Sequence, residues 1–379
     1  MAKDKLPDGW EYHKRDNPEA PTILVTNQVL CVIALVLASP FLLLAMLIIV
    51  PLSCYTRSWE KKVVRERIAR DKSEVIETAK GPVEYIKFGQ APYIFYVPGG
   101  EGGVQACEEE LMKPLHQDRG VGVITFSRPG FCRTPLSSGK TFAEQADLMA
   151  ALLDALGVKS VVVCGRSGGG PPAVHFAARH PEKCAGLLLF YCNLYPVGTL
   201  SKNLPTAMTW NVRLLYWLGS LSVVSWMSWY KPPTEGEALK QYLDAVLQGL
   251  SDYNADERTA EVTRLIAGDR AVLSCLTGNL PNAMGALQRP GYIGAMYGHM
   301  GLRWDMDLPF EKINCPTILA HGKRDNDNSF EHSEYAAKEI KGARLFALEK
   351  GYHVTEFCEE WPPIWEECLS LIKASKVSL

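Results

Sequence analysis

The sequence lacks the features that would assign it to several large classes of protein. Its net charge is only −2 over 379 residues, so it has no basic excess for binding nucleic acid. It contains no Asn-x-Ser/Thr site, and its 11 cysteines follow no framework spacing. These absences argue against a glycosylated, disulfide-stabilised extracellular protein and predict reduced thiols. No Cys/His cluster and no phosphate loop occurs, so neither a metal ion nor a cofactor is predicted.

Charge is also absent from one long segment near the amino terminus. No charged residue occurs between Glu19 and Arg57, and this gap contains the apolar run Val29–Val50. A helix needs about 20 apolar residues to cross a bilayer. A signal peptide has a shorter leader than the polar segment 1–28, and a buried helix is the other alternative. We predict a transmembrane helix over residues 29–52.

Basic residues are unequally distributed about this apolar segment. Only Lys14 and Arg15 lie a similar distance before it, whereas residues 53–72 contain many lysines and arginines. Positive charge favours the cytoplasmic side of a membrane. A single-pass protein with its carboxyl-terminal part facing the cytoplasm is therefore expected. The basic linker 53–72 either lies against anionic headgroups or is a solvated helix.

From about Ser73 onward, short strands alternate with helices. This alternation predicts an α/β fold with a mostly parallel, eight-stranded sheet and helices on both faces. The first two strands of this sheet should form a hairpin whose turn is Lys80–Pro82. The predicted strands are Ser73–Thr78, Val83–Phe88, Tyr93–Val97, Gly122–Phe126, Ser160–Cys164, Gly186–Tyr191, Thr317–Ala320 and Arg344–Leu348, and helices are predicted over Phe142–Leu156 and Gly170–Arg179.

The strand pattern stops between residues 193 and 308. This part is helical in pattern and rich in aromatic residues, and Leu214–Tyr230 contains no charge. We predict that residues 193–308 form a helical cap over an apolar pocket, inserted between the two core segments 73–192 and 309–379. An in-plane interfacial helix and ordinary packing of a helical subdomain are the alternatives.

The most informative motif is Gly165-Arg166-Ser167-Gly168-Gly169. It follows a predicted buried strand and precedes a predicted helix, and strand, Gly-x-Ser-x-Gly, helix is the pattern of a nucleophile elbow. Such a turn presents its serine at the carboxyl end of the sheet, over the helix amino terminus, where backbone N–H groups favour negative charge. Ser167 is therefore the candidate nucleophile.

A serine hydroxyl needs a base, and the base needs an acid. His353 follows the last predicted strand and can reach the elbow from there. Asp325 follows the strand Thr317–Ala320 at the same edge of the sheet, with Asp327 as the close alternative. We expect His321 to support the acid loop and His332 to be an exposed helix residue.

The oxyanion of an acyl-transfer reaction needs two N–H donors. Gly168, the residue after the nucleophile, is expected to supply one. Gly100, in the loop after Tyr93–Val97, is expected to supply the other, since glycine lets the backbone approach a substrate closely.

At this point the chain resembles the α/β-hydrolase superfamily. The resemblance covers roughly Glu74 to Leu371. The motifs that carry it are Val97–Gly100, Ser127–Phe131, Gly165–Gly169, Ala177–Pro181, His321–Asp325 and Gly351–His353. The order Ser167, Asp325, His353 is also that of the superfamily. Two departures occur. The oxyanion loop has Pro98-Gly99 where His-Gly is frequent, and the turn after Gly122–Phe126 has Ser127 and Cys132 where Asp and a second glycine are frequent.

The sequence therefore predicts a membrane-anchored serine hydrolase that cleaves a hydrophobic, lipid-like ester. A peptidase similar to the prolyl iminopeptidases is the main enzymatic alternative, and it would need an acidic pair in the cap, for which Glu235 and Glu237 are available. A non-catalytic protein that binds a hydrophobic ligand is the alternative of a different class. Besides the small-molecule substrate and the membrane, no partner is predicted, and the sequence does not indicate an oligomeric state.

Overall fold

A computed structural model describes residues 50–56, 58–59, 62, 72–100, 102–104, 120–194, 235–268 and 308–375. The predicted polar segment and nearly all of the predicted transmembrane helix lie outside these ranges, and residues 50–56 are helical. Within the described ranges, no helix has both the length and the apolarity needed to cross a bilayer.

Eight strands form one mixed sheet. The strands are β1 (Glu74–Thr78), β2 (Gly81–Phe88), β3 (Tyr93–Val97), β4 (Gly122–Phe126), β5 (Val161–Arg166), β6 (Cys184–Phe190), β7 (Thr317–Gly322) and β8 (Arg344–Leu348). Their order is β1-β2-β4-β3-β5-β6-β7-β8. The pairs β1–β2 and β2–β4 are antiparallel, and the other neighbouring strands in this order are parallel. The predicted eight-stranded, mostly parallel sheet is confirmed.

Six α-helices accompany the sheet in the described residues after residue 72. They are α1 (Phe142–Ala155), α2 (Gly170–Arg179), α3 (Gly236–Leu250), α4 (Ala255–Ala267), α5 (Glu331–Glu339) and α6 (Trp361–Ala374). Buried side chains of α1, α2 and α5 pack on one face of the sheet, and those of α3, α4 and α6 pack on the other. Because side chains alternate along a strand, Phe95 lies in the first cluster and Ile94 in the second.

The described part of residues 193–308 contains the hairpin of α3 and α4. Leu239, Leu243 and Leu247 recur every four residues and are buried, which places one face of α3 against the same core cluster as α6. Asn254 begins α4 with a capping box. The uncharged segment Leu214–Tyr230 lies outside the described residues.

Candidate active site

Ser167 lies on a sharp turn between β5 and α2. Its φ is +49°, a left-handed conformation that a non-glycine residue adopts only where the surroundings enforce it. A Cβ at Gly169 would lie 2.2 Å from the carbonyl oxygen of Val97, and one at Gly165 would lie 2.9 Å from an α2 side chain. Glycine is required on both sides of the serine because the backbone of the turn touches its neighbours there.

His353 reaches Ser167 from the loop after β8. Its Nε2 lies 3.2 Å from the Ser167 Oγ, and the ring is nearly buried. Its backbone N–H donates to the carbonyl of Leu250, at 3.0 Å. The ring of Tyr191 packs edge-on against the imidazole, with the ring centroids 4.6 Å apart. The backbone hydrogen bond to Leu250 and the ring contact with Tyr191 therefore hold His353 in place while Nε2 points to the serine.

Asp325 holds the other nitrogen of the same imidazole. Its Oδ2 accepts from His353 Nδ1 at 2.8 Å and from His321 Nε2 at 3.1 Å. Its Oδ1 accepts from the backbone N–H groups of Asp327 and Asn328. Burial acts to raise the pKa of Asp325, but the charge of His353 and the hydrogen bonds from both histidines outweigh it and lower the pKa well below its ordinary value. Asp325 is therefore ionised, and each of its carboxylate oxygens accepts two hydrogen bonds.

Asp327, the alternative acid, lies on the other side of the ring. Its Oδ2 is 3.3 Å from His353 Nε2, and its side chain is half exposed. The structure thus brings Asp325 to Nδ1 and Asp327 to Nε2. Because Nε2 either carries a proton or accepts one, a contact with Asp327 as acceptor and a hydrogen bond from Ser167 cannot form together.

Two further buried histidines lie behind the acid. His321 Nε2 faces two acceptors, Asp325 Oδ2 and the carbonyl of Asn328, so it carries a hydrogen. His332 accepts at Nδ1 from the backbone N–H of Leu194. Burial, followed by the charge of His321, lowers the pKa of His332 to about 3. The expectation that His332 is exposed is wrong, because α5 turns this residue toward the core.

Three side chains join the elbow to the loop of the base. Arg166 Nε lies 2.8 Å from Glu356 Oε1 and 2.8 Å from the hydroxyl of Tyr191, which in turn lies 3.2 Å from Glu356. Arg166 precedes Ser167, and Glu356 follows His353 by three residues. Sequence reasoning missed this network, since no local pattern pairs residues so far apart in the chain.

The α3–α4 hairpin also contacts the loops that carry the acid and the base. The carbonyl of Leu250 accepts from the backbone of His353 at 3.0 Å and of Asn326 at 3.4 Å. Arg324 pairs with Asp252 and with Glu257. Two catalytic candidates are therefore positioned partly by a segment inserted between β6 and β7.

The predicted oxyanion donors lie on two adjacent loops. Gly168 is buried inside the elbow, and Gly100 is half-buried in the loop after β3. Ser127, where Asp is frequent in the superfamily, donates to the buried carboxylate of Glu84 at 2.7 Å. A glutamate on β2 therefore supplies a carboxylate beside this position. In the ranges that the structure describes, no group of three or more His, Cys, Asp or Glu side chains could hold a metal ion.

Known proteins resemble the chain in sequence. An uncharacterized hydrolase, YcgS, from Bacillus subtilis is 35% identical over 116 residues, which is 31% of this chain and 40% of that protein. A 2-hydroxy-6-oxo-6-phenylhexa-2,4-dienoate hydrolase from Comamonas testosteroni is 25% identical over 292 residues, covering 75% of this chain and 86% of the relative. The first match therefore spans less than half of that relative's length.

Structural and family comparisons agree with this likeness. An alpha/beta hydrolase fold protein from Nakamurella multipartita superimposes with a TM-score of 0.65 at 25% identity, over 79% of this chain and 99% of that one. Residues 92–357, more than half of the chain, match the family described as alpha/beta hydrolase fold. The protein therefore belongs to the alpha/beta hydrolase fold family.

Proposed function

We propose that the protein is a serine hydrolase that cleaves an ester through an acyl-enzyme. Ser167 is the nucleophile, His353 is the general base and Asp325 orients the base. The observation that carries this proposal is the continuous chain of contacts from Ser167 Oγ to His353 Nε2, at 3.2 Å, and from His353 Nδ1 to Asp325 Oδ2, at 2.8 Å. A nucleophile, a base and an orienting acid in that sequence make a serine reactive.

The reaction follows from these positions. Nε2 of His353 accepts the Ser167 proton while Oγ bonds to the carbonyl carbon of the substrate. The carbonyl oxygen becomes an oxyanion, which the N–H groups of Gly100 and Gly168 stabilise. The leaving group departs with the proton from Nε2. Water then attacks the acyl-enzyme in the same way, releasing the acid and returning a proton to Ser167.

The proposed substrate is a hydrophobic, lipid-like ester. This choice rests on the uncharged, aromatic part of residues 193–308, proposed as a cap, and on the apolar run 29–52, proposed as a single-pass anchor. The phenyl group in the substrate name of the Comamonas relative is a second reason to include aromatic compounds in a substrate panel. We place the catalytic domain on the cytoplasmic side because residues 53–72 are basic.

The two alternatives are less well supported. An aminopeptidase would need an acidic pair enclosed near the nucleophile, whereas Glu235 and Glu237 are exposed and Glu237 pairs with Lys240 at 3.2 Å. A protein that only binds hydrophobic ligands has no need for a serine, a histidine and an aspartate in bonding contact.

A fluorophosphonate probe tests the catalytic proposal. Wild type should be labelled, Ser167→Ala should not, and the matched control Ser370→Ala, which removes an exposed serine hydroxyl from α6, should be labelled at the wild-type rate. Equal labelling of wild type and Ser167→Ala, or none in folded wild type, would contradict it.

Two further measurements separate the finer claims. A panel of monoacylglycerols, short esters and Pro-x amides divides a lipase from a peptidase, and faster turnover of the amides would reject the ester proposal. Protease digestion of sealed, cytoplasm-side-out vesicles should cut the catalytic domain. A protected domain would reverse the proposed orientation.

A further inference from the structure

Arg128 is a charged residue in the interior of the protein. It follows β4 in the Ser127–Phe131 turn, and its side chain is fully buried. Its Nε donates to the side-chain oxygen of Gln145 on α1, at 3.0 Å. Burying a guanidinium is costly unless many of its N–H groups are bonded. The position of this arginine therefore needs an explanation beyond packing.

The bonds of one nitrogen of Arg128 supply that explanation. Nη1 donates to the carbonyl oxygens of Gly99 and Gly168, each at 3.1 Å, and lies 3.4 Å from that of Pro98. Gly99 lies in the loop after β3, and Gly168 lies in the elbow. A single nitrogen thus bridges the two loops that carry the proposed oxyanion donors.

The bond to Gly99 also sets the direction of a donor. The carbonyl of Gly99 and the N–H of Gly100 belong to one planar trans peptide group, so they point in opposite directions. The Gly99 carbonyl accepts from Arg128 and from the backbone N–H of Gly102, at 3.2 Å. With the carbonyl held on the side of Arg128, the Gly100 N–H is directed away from the guanidinium. The positive charge also polarises this peptide and strengthens the N–H as a donor.

We propose that Arg128 is a positioning residue for the oxyanion hole, which orients the Gly99–Gly100 peptide and sets its distance from the elbow. The proposal rests on the proposed function, because it concerns the donors of that reaction. Arg128 does not touch the substrate. It acts through Gly99 and Gly168, and its effect is greatest where negative charge develops on the substrate oxygen.

The variants Arg128→Met and Arg128→Lys test this role. Methionine has an unbranched apolar side chain that can follow the same path but has no hydrogen-bond donors. Lysine keeps the positive charge but lacks the planar arrangement of guanidinium donors. The matched control is Arg133→Met, in the same loop, whose guanidinium pairs with Glu84 at 2.6 Å rather than with either oxyanion loop. Rates are divided by the number of sites that fluorophosphonate labels at completion, so loss of folded protein is not counted as loss of catalysis.

We expect Arg128→Met to lose about 100-fold in kcat per labelled site with little change in KM, as for the loss of one oxyanion donor. The affinity for a trifluoromethyl ketone, which forms an oxyanion on Ser167, should fall by the same factor. Arg128→Lys should fall between Met and wild type, and Arg133→Met should keep the wild-type rate per site. A folded Arg128→Met protein, or a folded Arg128→Lys protein if the first does not fold, with a rate per site within about twofold of wild type would overturn the proposal.

Amide hydrogen exchange provides a readout that does not depend on activity. The amides of Gly99, Gly100 and Gly102 should exchange faster in Arg128→Met than in wild type or Arg133→Met, because the loop loses the hydrogen bonds that the Arg128 guanidinium donates to it. Unchanged exchange there would also overturn the proposal. If wild type is not labelled by fluorophosphonate, the proposed function fails, and the exchange experiment still decides whether Arg128 holds the loop.

Discussion

The two halves of the candidate site are held in place by different means. The nucleophile half, with Ser167 and Gly168, is shaped by backbone packing: a Cβ at Gly169 would collide with the carbonyl of Val97. The base half, with His353 and Asp325, is held by side-chain hydrogen bonds and by the carbonyl of Leu250. The geometry of the nucleophile half depends on the small size of a few residues. The geometry of the base half depends on whether segments distant in the chain are in contact.

This difference separates what each half tolerates. In the nucleophile half, one added methyl group meets backbone atoms, which cannot move aside as a side chain can. In the base half, many bonds share the task, and those formed by partly exposed side chains are individually weak. We therefore expect added bulk in the nucleophile half to lower the stability of the fold. Substitutions in the base half should lower the rate by smaller, graded amounts, except at Asp325.

The largest effect is expected for Asp325→Asn. An amide in place of the carboxylate cannot stabilise the imidazolium and favours the wrong tautomer of His353, so kcat should fall by about 10³–10⁴. Steady-state kinetics and thermal unfolding of the same preparation measure the rate and confirm the fold. A loss under about tenfold in folded protein would remove Asp325 from its proposed role.

The matched control for that variant is Asp327→Asn. Its carboxylate faces Nε2, so its removal should cost less than about tenfold in kcat and should move the acidic limb of the pH–rate profile to lower pH. The sign follows because a carboxylate beside the imidazole favours the protonated, inactive base. The carboxylate of Asp325, the Arg166–Glu356 pair and the Tyr191 hydroxyl also face this loop and stay unchanged. A larger loss of kcat in Asp327→Asn than in Asp325→Asn would assign the role of the triad acid to Asp327 instead.

The nucleophile half is tested by Gly169→Ala. The added Cβ would lie 2.2 Å from the Val97 oxygen, so the elbow or the end of β3 must shift, and the free energy of unfolding should fall by about 3 kcal/mol. Denaturant unfolding measures this change. Gly249→Ala in α3, where nothing lies within 4 Å of the new methyl group, should instead gain about 0.5–1 kcal/mol from helix propensity. Similar stabilities for the two variants would refute the backbone explanation.

The sequence predicts the nucleophile half nearly completely. The strand before Ser167, the tight turn and the helix Gly170–Arg179 all follow from residues adjacent in the chain, and the helix has the predicted bounds. The base half is predicted from chain order and strand ends, which are enough to propose His353 and to propose Asp325 with Asp327 as the alternative, but not to predict their surroundings. The contacts of Leu250 and of Arg128 join segments that no local pattern relates.

A third variant, Arg324→Met, loosens the base half without touching a catalytic candidate. It removes the pairs with Asp252 and Glu257 and the stacking of the guanidinium on Tyr253, 5.0 Å from the ring centre. The hairpin that holds His353 through Leu250 then loses part of its attachment. We expect kcat to fall by roughly tenfold or less, because these exposed pairs are individually weak.

The control for this third variant is Arg344→Met, which removes an exposed pair with Glu367 on α6 and should leave kcat unchanged. The Arg324→Met effect should grow with temperature as the hairpin detaches more often. Equal rates for Arg324→Met and the control at every temperature would show that the hairpin does not position the base.

The expectation that failed, an exposed His332, leads to the smallest predicted effect. In the folded protein the pKa of His332 is lowered to about 3, whereas in an unfolded chain a histidine binds a proton below about pH 6.5. Between these two values the unfolded state carries the extra proton, so stability falls as the pH falls. By pH 6, this term should cost wild type about 1 kcal/mol relative to pH 7.5.

His332→Asn keeps an acceptor for the backbone N–H of Leu194 but cannot titrate. Its unfolding free energy should therefore change less between pH 7.5 and pH 6 than that of wild type, whatever the two values are at pH 7.5. The lowered pKa of Asp325 does not interfere, because a depressed carboxyl pKa loses its stabilising contribution only below about pH 4. Denaturant unfolding at the two pH values measures the difference. Parallel losses in the two proteins would mean that His332 can take up a proton in the folded state, which would refute the predicted effect.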